Sequence, residues 1–361
     1  MRFADSETQR LLRNTARSYL AGAYGPERLR RIELGEERID GESLREIAGL
    51  GWFGLIAPED AGGGGASLLD AAVVIDELGY AGVAAPVAVA NIAAAVLSAA
   101  SDQNAARPHI ERLAGGASLC TVNESTRAHS SRPDALSISS ARVEGTLTLV
   151  PFADVSASIL APVSVDGEPA IALLSLEGAE LTPVQVLDRR PYAHVRFGDS
   201  KRIETLATGG EARALHERLD ALVTAFGIVE QAGAMQRVLD MTVGHISTRV
   251  QFGQPIAKFQ AARHRAAELL MQVETVRWAA YHALWRFQLD PLDTEEIWLA
   301  KHWAVRAADR VFQISHLLHG GIGVSVEHPL HLFTQAVTAM AVRGGTMNEL
   351  TARATASIRV P

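Results

Sequence analysis

Four histidines fall in two i, i+3 pairs, His316 with His319 and His328 with His331, in a chain that has 12 histidines. On a helix that spacing puts both rings of a pair on one face, the first requirement of a metal site. Zinc also wants a third ligand and a carboxylate or thiolate in reach, and no His-Glu-x-x-His pattern supplies them, so no metal is expected. Cys120 is the single cysteine. It excludes an intramolecular disulfide framework and a cysteine-cluster metal site, and it reads as a small buried apolar residue. The stretch RVQFGQPIAKFQAARHRAAELL (249–270) joins two helical segments through Phe252-Gly253-Gln254-Pro255. Gly253 frees the backbone there, and Pro255 suits a turn or a first helical turn. A second stretch, HLLHGGIGVSVEHPLHLF (316–333), carries Gly320, Gly321 and Gly323. Each stretch alone also reads as an ordinary helix–helix connection. The glycine run Gly62 to Gly65 before Ser67 could cradle phosphate. It lacks a preceding strand and a P-loop lysine, so it reads as a flexible connector. In MAVRGGTMNEL, Gly344-Gly345 reads as a helix stop, since each glycine inside a helix costs about 1 kcal/mol against alanine.

The elements that must position these residues fall into three sections. Residues 1–117 read as helical, with Ser6 as an N-cap followed by Glu7 in the first turn. Residues 118–205 show short β-type runs. Val143, Leu147 and Leu149 share one parity, and Asp166-Gly167 between two apolar runs signals a hairpin. This is enough for a small barrel or sheet. In residues 206–361 the helical period dominates. Leu215, Leu219, Leu222, Phe226, Val229 and Gly233 step by four and three, as do Phe259, Ala262, Ala266, Leu269, Val273, Val276 and Ala280. Ile297, Ala300, Ala304, Ala307, Val311, Ile314 and Leu318 repeat the pattern. Such helices make a bundle whose apolar faces can also bury a subunit interface.

Composition narrows the function classes. With 361 residues, 48% hydrophobic and 21% charged, the chain reads as a folded soluble protein of two or three domains. A net charge of -7 and scattered arginines argue against nucleic acid as a partner. The run at 81–100 has the length of a membrane span but is alanine-rich and interrupted by Pro86 and Asn91. A buried helix is expected, and no membrane association. The N-terminus has no secretory h-region, so the cytoplasm is the expected location.

Taken together, the arginine segment and the later Gly-Gly-x-Gly segment resemble the acyl-CoA dehydrogenase family, where Arg-x-x-Phe-Gly-x-Pro-Ile-x-x-Phe-Gln and Gly-Gly-x-Gly recur in this order. ALVTAFGIVEQAGAMQRVLDM, VLDRRPYAHVRF and APEDAGGGGASLLDAAVVIDELG extend the likeness to nearly the whole chain. The resemblance implies a mainly α fold with an N-terminal helical domain, a central β domain and a C-terminal four-helix bundle. It also implies FAD, an acyl-CoA substrate, and a dimer or dimer of dimers. The reaction removes a proton alpha to a thioester while hydride passes from the beta carbon to flavin. That requires a rigidly held flavin, a polarised carbonyl and a base in reach. FAD in this family lies across a subunit interface. Carried over by position, Arg249 pairs with its pyrophosphate, Gln251 hydrogen-bonds nearby and Phe252 packs against it. Gly320, Gly321 and Gly323 let the backbone come close.

The sequence departs from the family where chemistry is expected. The flavin-lining Thr-Glu-Pro strand reads Asn123-Glu124-Ser125 followed by TRAHSS, and the next flavin-facing strand is shortened to LVPFADV. A cofactor-contacting glutamine is replaced by Leu317. The base of the Glu-Gly-Thr triplet falls on Gly344 when aligned on Gly345-Thr346, and the alternate base position aligns with Val223. Neither accepts a proton, so no catalytic residue is assigned; Glu230, Glu327 and Glu349 read as solvated or ion-paired surface groups. Three readings stay open. The chain resembles the non-catalytic subunit of a heteromeric, steroid side-chain type enzyme, an α2β2 heterotetramer whose homologous partner supplies the base. Alternatively it is a self-sufficient dehydrogenase, for instance a homotetramer, with a relocated base. The third reading is a flavin monooxygenase or oxidase of the same fold.

Overall fold

A computed structural model describes residues 4–124, 136–139, 142–198, 203–345 and 347–355. Ser125, the TRAHSS stretch and Thr346 lie outside the described residues.

Six helices come first: α1 (Glu7–Ala23), α2 (Pro26–Glu33), α3 (Gly41–Gly49), α4 (Leu68–Ala81), α5 (Val87–Leu97) and α6 (Gln103–Ala114). Ser6 caps α1 and Ser67 caps α4, each through a capping box closed by Gln9 and Asp70 respectively. The alanine-rich run becomes α5, buried against the rest of the protein. Among the described residues no helix is long and apolar enough to cross a membrane. The tetraglycine stretch is not a flexible connector. Gly63, Gly64 and Gly65 donate to the carbonyls of Pro58, Gly54 and Ala57, and a Cβ on Gly63 would come within 2.2 Å of the Ala57 oxygen. These glycines are there because the backbone folds back on itself without room for side chains.

The strands follow as β1 (Cys120–Val122), β2 (Leu136–Ser139), β3 (Arg142–Pro151), β4 (Ser158–Val165), β5 (Glu168–Ser175), β6 (Glu180–Val184), β7 (Tyr192–Phe197) and β8 (Ile203–Thr208). They form one sheet in the order β6-β7-β3-β2-β4-β5-β8, with β1 paired to β4. It is open along β6 and β8, so among the described residues there is no closed barrel. Asp166 and Gly167, at φ 48° and 88°, turn β4 into β5 with Val165 opposite Glu168, as expected for a two-residue hairpin. The parity of β3 does not hold to its end. Val143 and Leu147 are buried, but the register shifts between Leu147 and Val150, and Leu149 turns outward with φ 51°. A bulge reverses the side-chain alternation beyond it.

Helix α7 (Gly209–Thr248) runs for 40 residues, about 60 Å at 1.5 Å per residue. A tight hairpin, β9 (Val250–Gln251) and β10 (Gln254–Pro255), leads to α8 (Gln260–Leu289) and α9 (Glu295–His319). Then come α10 (Leu330–Val342) and α11 (Met347–Thr355). The apolar residues stepping by four and three line the buried faces of α7, α8 and α9. One core joins the N-terminal helices to this bundle, and a second lies under the sheet. The helices α4 and α7 touch backbone to backbone: a Cβ on Gly79 would lie 2.0 Å from the Glu230 oxygen, and one on Gly233 2.0 Å from the Asp76 oxygen. That contact decides where Glu230 points.

Candidate functional site

Two regions gather the residues with chemical potential. The first is a cavity of about 510 Å³ between the N-terminal helices, the sheet and α10. Asp188, Arg190, Tyr192 and Glu230 line it, with Phe152 and Met340. Glu230 is buried (7% exposed) and is not a surface group. Its two carboxylate oxygens lie 2.6 and 2.5 Å from Arg190 Nη2. Burial pushes the Glu230 carboxyl up, against the pull of Arg190. Burial would depress the Arg190 guanidinium, but Glu230, Tyr192 and Glu124 outweigh it and hold the charge. The guanidinium also lies over the Phe152 ring at 5.4 Å. Tyr192 donates its hydroxyl to Glu124 at 2.7 Å, and burial raises its pKa.

The chain returns to this wall after α10. Arg343 forms an ion pair with Asp188 and stands over the Tyr192 ring at 5.5 Å. The next residue, Gly344, has φ +84°, and a Cβ there would lie 3.7 Å from Lys301 Cε and 3.8 Å from Thr224 Oγ1. Lys301 is buried and donates to the Met340 carbonyl at 2.7 Å; burial pushes its pKa down to about 7. Val223, the alternate base position, is half-buried beside Thr224. Neither Gly344 nor Val223 carries a carboxylate. Glu327 and Glu349 are exposed.

The second region is the outer edge formed by the β9–β10 hairpin and the loop after α9. Phe252 and Gly253 make the two-residue turn with φ 52° and 80°, and Phe252 is 92% exposed. The Arg249 side chain is exposed, and among the described residues its guanidinium has no hydrogen-bond or ion-pair partner. Gln251 is exposed and donates only to the neighbouring Val250 carbonyl, at 2.8 Å. The glycine loop lies close by, because His245, one turn before Arg249, stacks on His319, next to Gly320, with ring centroids 4.5 Å apart. Gly320 has φ +61°, a cap conformation that glycine tolerates. A Cβ on Gly323 would approach His319 Cβ to 2.9 Å. Leu317 is exposed on the same edge.

Residues 6–117 match the acyl-CoA dehydrogenase N-terminal domain family, and residues 222–357 match the acyl-CoA dehydrogenase C-terminal domain family. The chain belongs to the acyl-CoA dehydrogenase family. It is 27% identical over 364 residues to the acyl-CoA dehydrogenase FadE27 of Mycobacterium tuberculosis, covering 96% of both chains. The fold matches a chain of the ChsE4-ChsE5 complex from the same organism with a TM-score of 0.88, 26% identity and 100% of both chains covered. A chain of the Tcur3481-Tcur3483 steroid ACAD matches in fold at a TM-score of 0.87, with 24% identity and 97% of each chain covered.

Acyl-CoA dehydrogenases are FAD-dependent oxidoreductases, and this chain is one of them by both of its domain matches. The outer edge fits such a cofactor. It offers a guanidinium without a partner among the described residues, an exposed aromatic ring, and a loop where a Cβ on Gly320 or Gly321 would meet open space. The cavity wall offers a different set, in which Arg190 faces Glu230 and Arg343 faces Asp188. Sequence reasoning found Arg249, Gln251, Phe252, Gly320, Gly321 and Gly323, which the fold brings to one edge. It missed Asp188, Arg190, Arg343 and Lys301. The adjacent charges of Asp188-Arg189-Arg190 before Pro191 were the available signal, since a charge cluster inside an apolar section calls for partners.

Proposed function

We propose that this chain is the base-less subunit of a heteromeric FAD-dependent acyl-CoA dehydrogenase. The observation that carries this reading is the lack of a free carboxylate: Gly344 holds no side chain, and Glu230 on the cavity wall is clamped by Arg190. A carboxylate in a buried ion pair cannot take a proton without leaving a guanidinium unpaired, which disfavours it as a base. The outer edge has the opposite character and suits a cofactor seated mainly on a homologous partner. Arg249 would neutralise the pyrophosphate, Gln251 would hydrogen-bond beside it and Phe252 would cover an aromatic or ribose face. Gly320, Gly321 and Gly323 would allow close backbone approach. When bound, FAD supplies the hydride acceptor for α,β-dehydrogenation of an acyl-CoA thioester. The partner contributes the base that removes the alpha proton.

An α2β2 heterotetramer is the assembly proposed, in keeping with the two-component ChsE4-ChsE5 complex. A steroid side-chain thioester is the substrate class proposed, from the steroid ACAD neighbour. A second reading has one observation in its favour. Glu230 lines the cavity and burial raises its pKa, so a self-sufficient enzyme would use it as the relocated base.

Co-expression with adjacent genes followed by flavin stoichiometry separates the two. The expected result is a colourless isolated chain and about one FAD per unlike pair in the complex. A yellow homotetramer that reduces an artificial acceptor with acyl-CoA, and loses this on Glu230→Gln, would replace the first reading with the second.

A further inference from the structure

The histidine pairs of the sequence find no metal role: among the described residues no group of three His, Cys, Asp or Glu side chains could hold an ion. They converge instead beneath the outer edge. His319 ends α9 just before Gly320, and its ring lies on His245 at 4.5 Å and 18° between planes. The ring of His328 meets His319 edge-on at 5.0 Å. His245 accepts the Arg249 N–H through its carbonyl at 2.8 Å, so its ring is tied to the hairpin through one helical turn. We propose that the His245–His319 stack, backed by His328, is the mount that holds the Arg249 hairpin and the glycine loop at one spacing, and that it does so with neutral rings. These are positioning residues for the proposed FAD contacts, and the proposal rests on that reading of the edge.

Hydrogen bonding fixes the protonation that the mount needs. His319 Nδ1–H donates to the Ser315 carbonyl at 2.8 Å, leaving Nε2 as a buried acceptor without a partner. His328 Nδ1 accepts the Leu330 N–H at 3.2 Å. A second proton on His319 would therefore sit on a nitrogen with no acceptor, against a second imidazole. The groups around the stack give no relief. Arg249 just after α7, His316 on α9 and His331 on α10 are cations or become so on protonation. The Glu33 carboxylate of α2 is held by His331 and Arg30, each at 2.6 Å. Burial lowers all three rings, His319 to about 4, with Arg249 adding to the effect on His245. In the folded state fewer protons are bound than in the unfolded state, so the contribution of the stack is complete above the ordinary histidine value of about 6.5. It is lost progressively as pH falls towards 4.

The test uses the full chain in its native assembly, with His319→Ala, His319→Phe and His245→Ala. Amide hydrogen exchange of the ligand-free protein reads residues 249–256 and 320–324, and calorimetry reads ADP affinity at pH 7.5 and 5.5. Both alanine variants should speed exchange in both segments and weaken ADP about tenfold at pH 7.5. His319→Phe keeps a ring without a titrating nitrogen. It should hold ADP within about twofold of the parent and flatten the change between the two pH values. Loosening of the loop alone in His319→Ala, or a parental pH slope in His319→Phe, would overturn the proposal. If the parent takes no ADP in any assembly, the FAD reading of the edge fails, while the exchange data still decide whether hairpin and loop are coupled through the stack.

Discussion

The outer edge and the cavity wall use the same residue types to opposite ends. At the edge, Arg249 stands exposed without a partner among the described residues, and Phe252 is exposed. At the wall, Arg190 is closed on Glu230, Arg343 on Asp188 and Tyr192 on Glu124. Groups of the first kind contribute little to the stability of the lone chain and are free to bind. Groups of the second kind are bound up with folding, because removing one partner leaves a buried charge uncompensated. The comparison implies that the two regions respond to mutation in opposite ways.

The largest effect is expected at the wall. Arg190→Leu should lower the unfolding free energy by about 3–5 kcal/mol in a denaturant titration, the range for breaking one side of a buried ion pair. A loss under about 1 kcal/mol would mean that the wall network is not structural. At the edge, Arg249→Ala should leave stability within about 0.5 kcal/mol. It should weaken FAD binding in the assembled protein by about 10- to 100-fold, as for a lost charge-assisted hydrogen bond. Flavin fluorescence titration reads that difference, and a stability loss without an affinity loss would erase the contrast.

Gly344→Glu sharpens it further. The left-handed backbone there disfavours a side chain by about 1–3 kcal/mol, and the Cβ of the new side chain would lie 3.7 Å from Lys301 Cε. The carboxylate should pair with that amine rather than act as a base, so the isolated variant should show no acyl-CoA oxidation in an acceptor-dye assay. Robust turnover without a partner would show that only the base was missing.

A pH-dependent effect concerns Lys301 itself. Its folded-state pKa of about 7 lies below the ordinary lysine value, so the folded protein binds fewer protons between those two values. Stability should therefore rise with pH across that window and fall as pH returns towards 7. Lys301→Met should abolish this slope. A slope unchanged in the variant would assign it to another group.

Legibility in the sequence followed the range of the interaction. The apolar steps of Leu215 to Gly233 and of Ile297 to Leu318 set buried helix faces, and Asp166-Gly167 set a hairpin. In each case neighbours within a few residues decide the outcome. Leu149 escaped the alternation because a bulge depends on how β3 pairs with β7. The tetraglycine stretch looked loose because its contacts with Leu55 and Ala57 come from a turn that folds back on itself.

By itself the sequence determined the succession of helical and β sections, the family, and the absence of a carboxylate at Gly344 and Val223. These follow from residue type, period and spacing along the chain. Only the tertiary structure decided that Glu230 is buried rather than solvated, and that it faces Arg190, 40 residues away in sequence. The backbone contact of α4 and α7 at Gly79 and Gly233 sets that orientation. Such a contact depends on two surfaces fitting together, and the sequence spacing within either helix does not encode it.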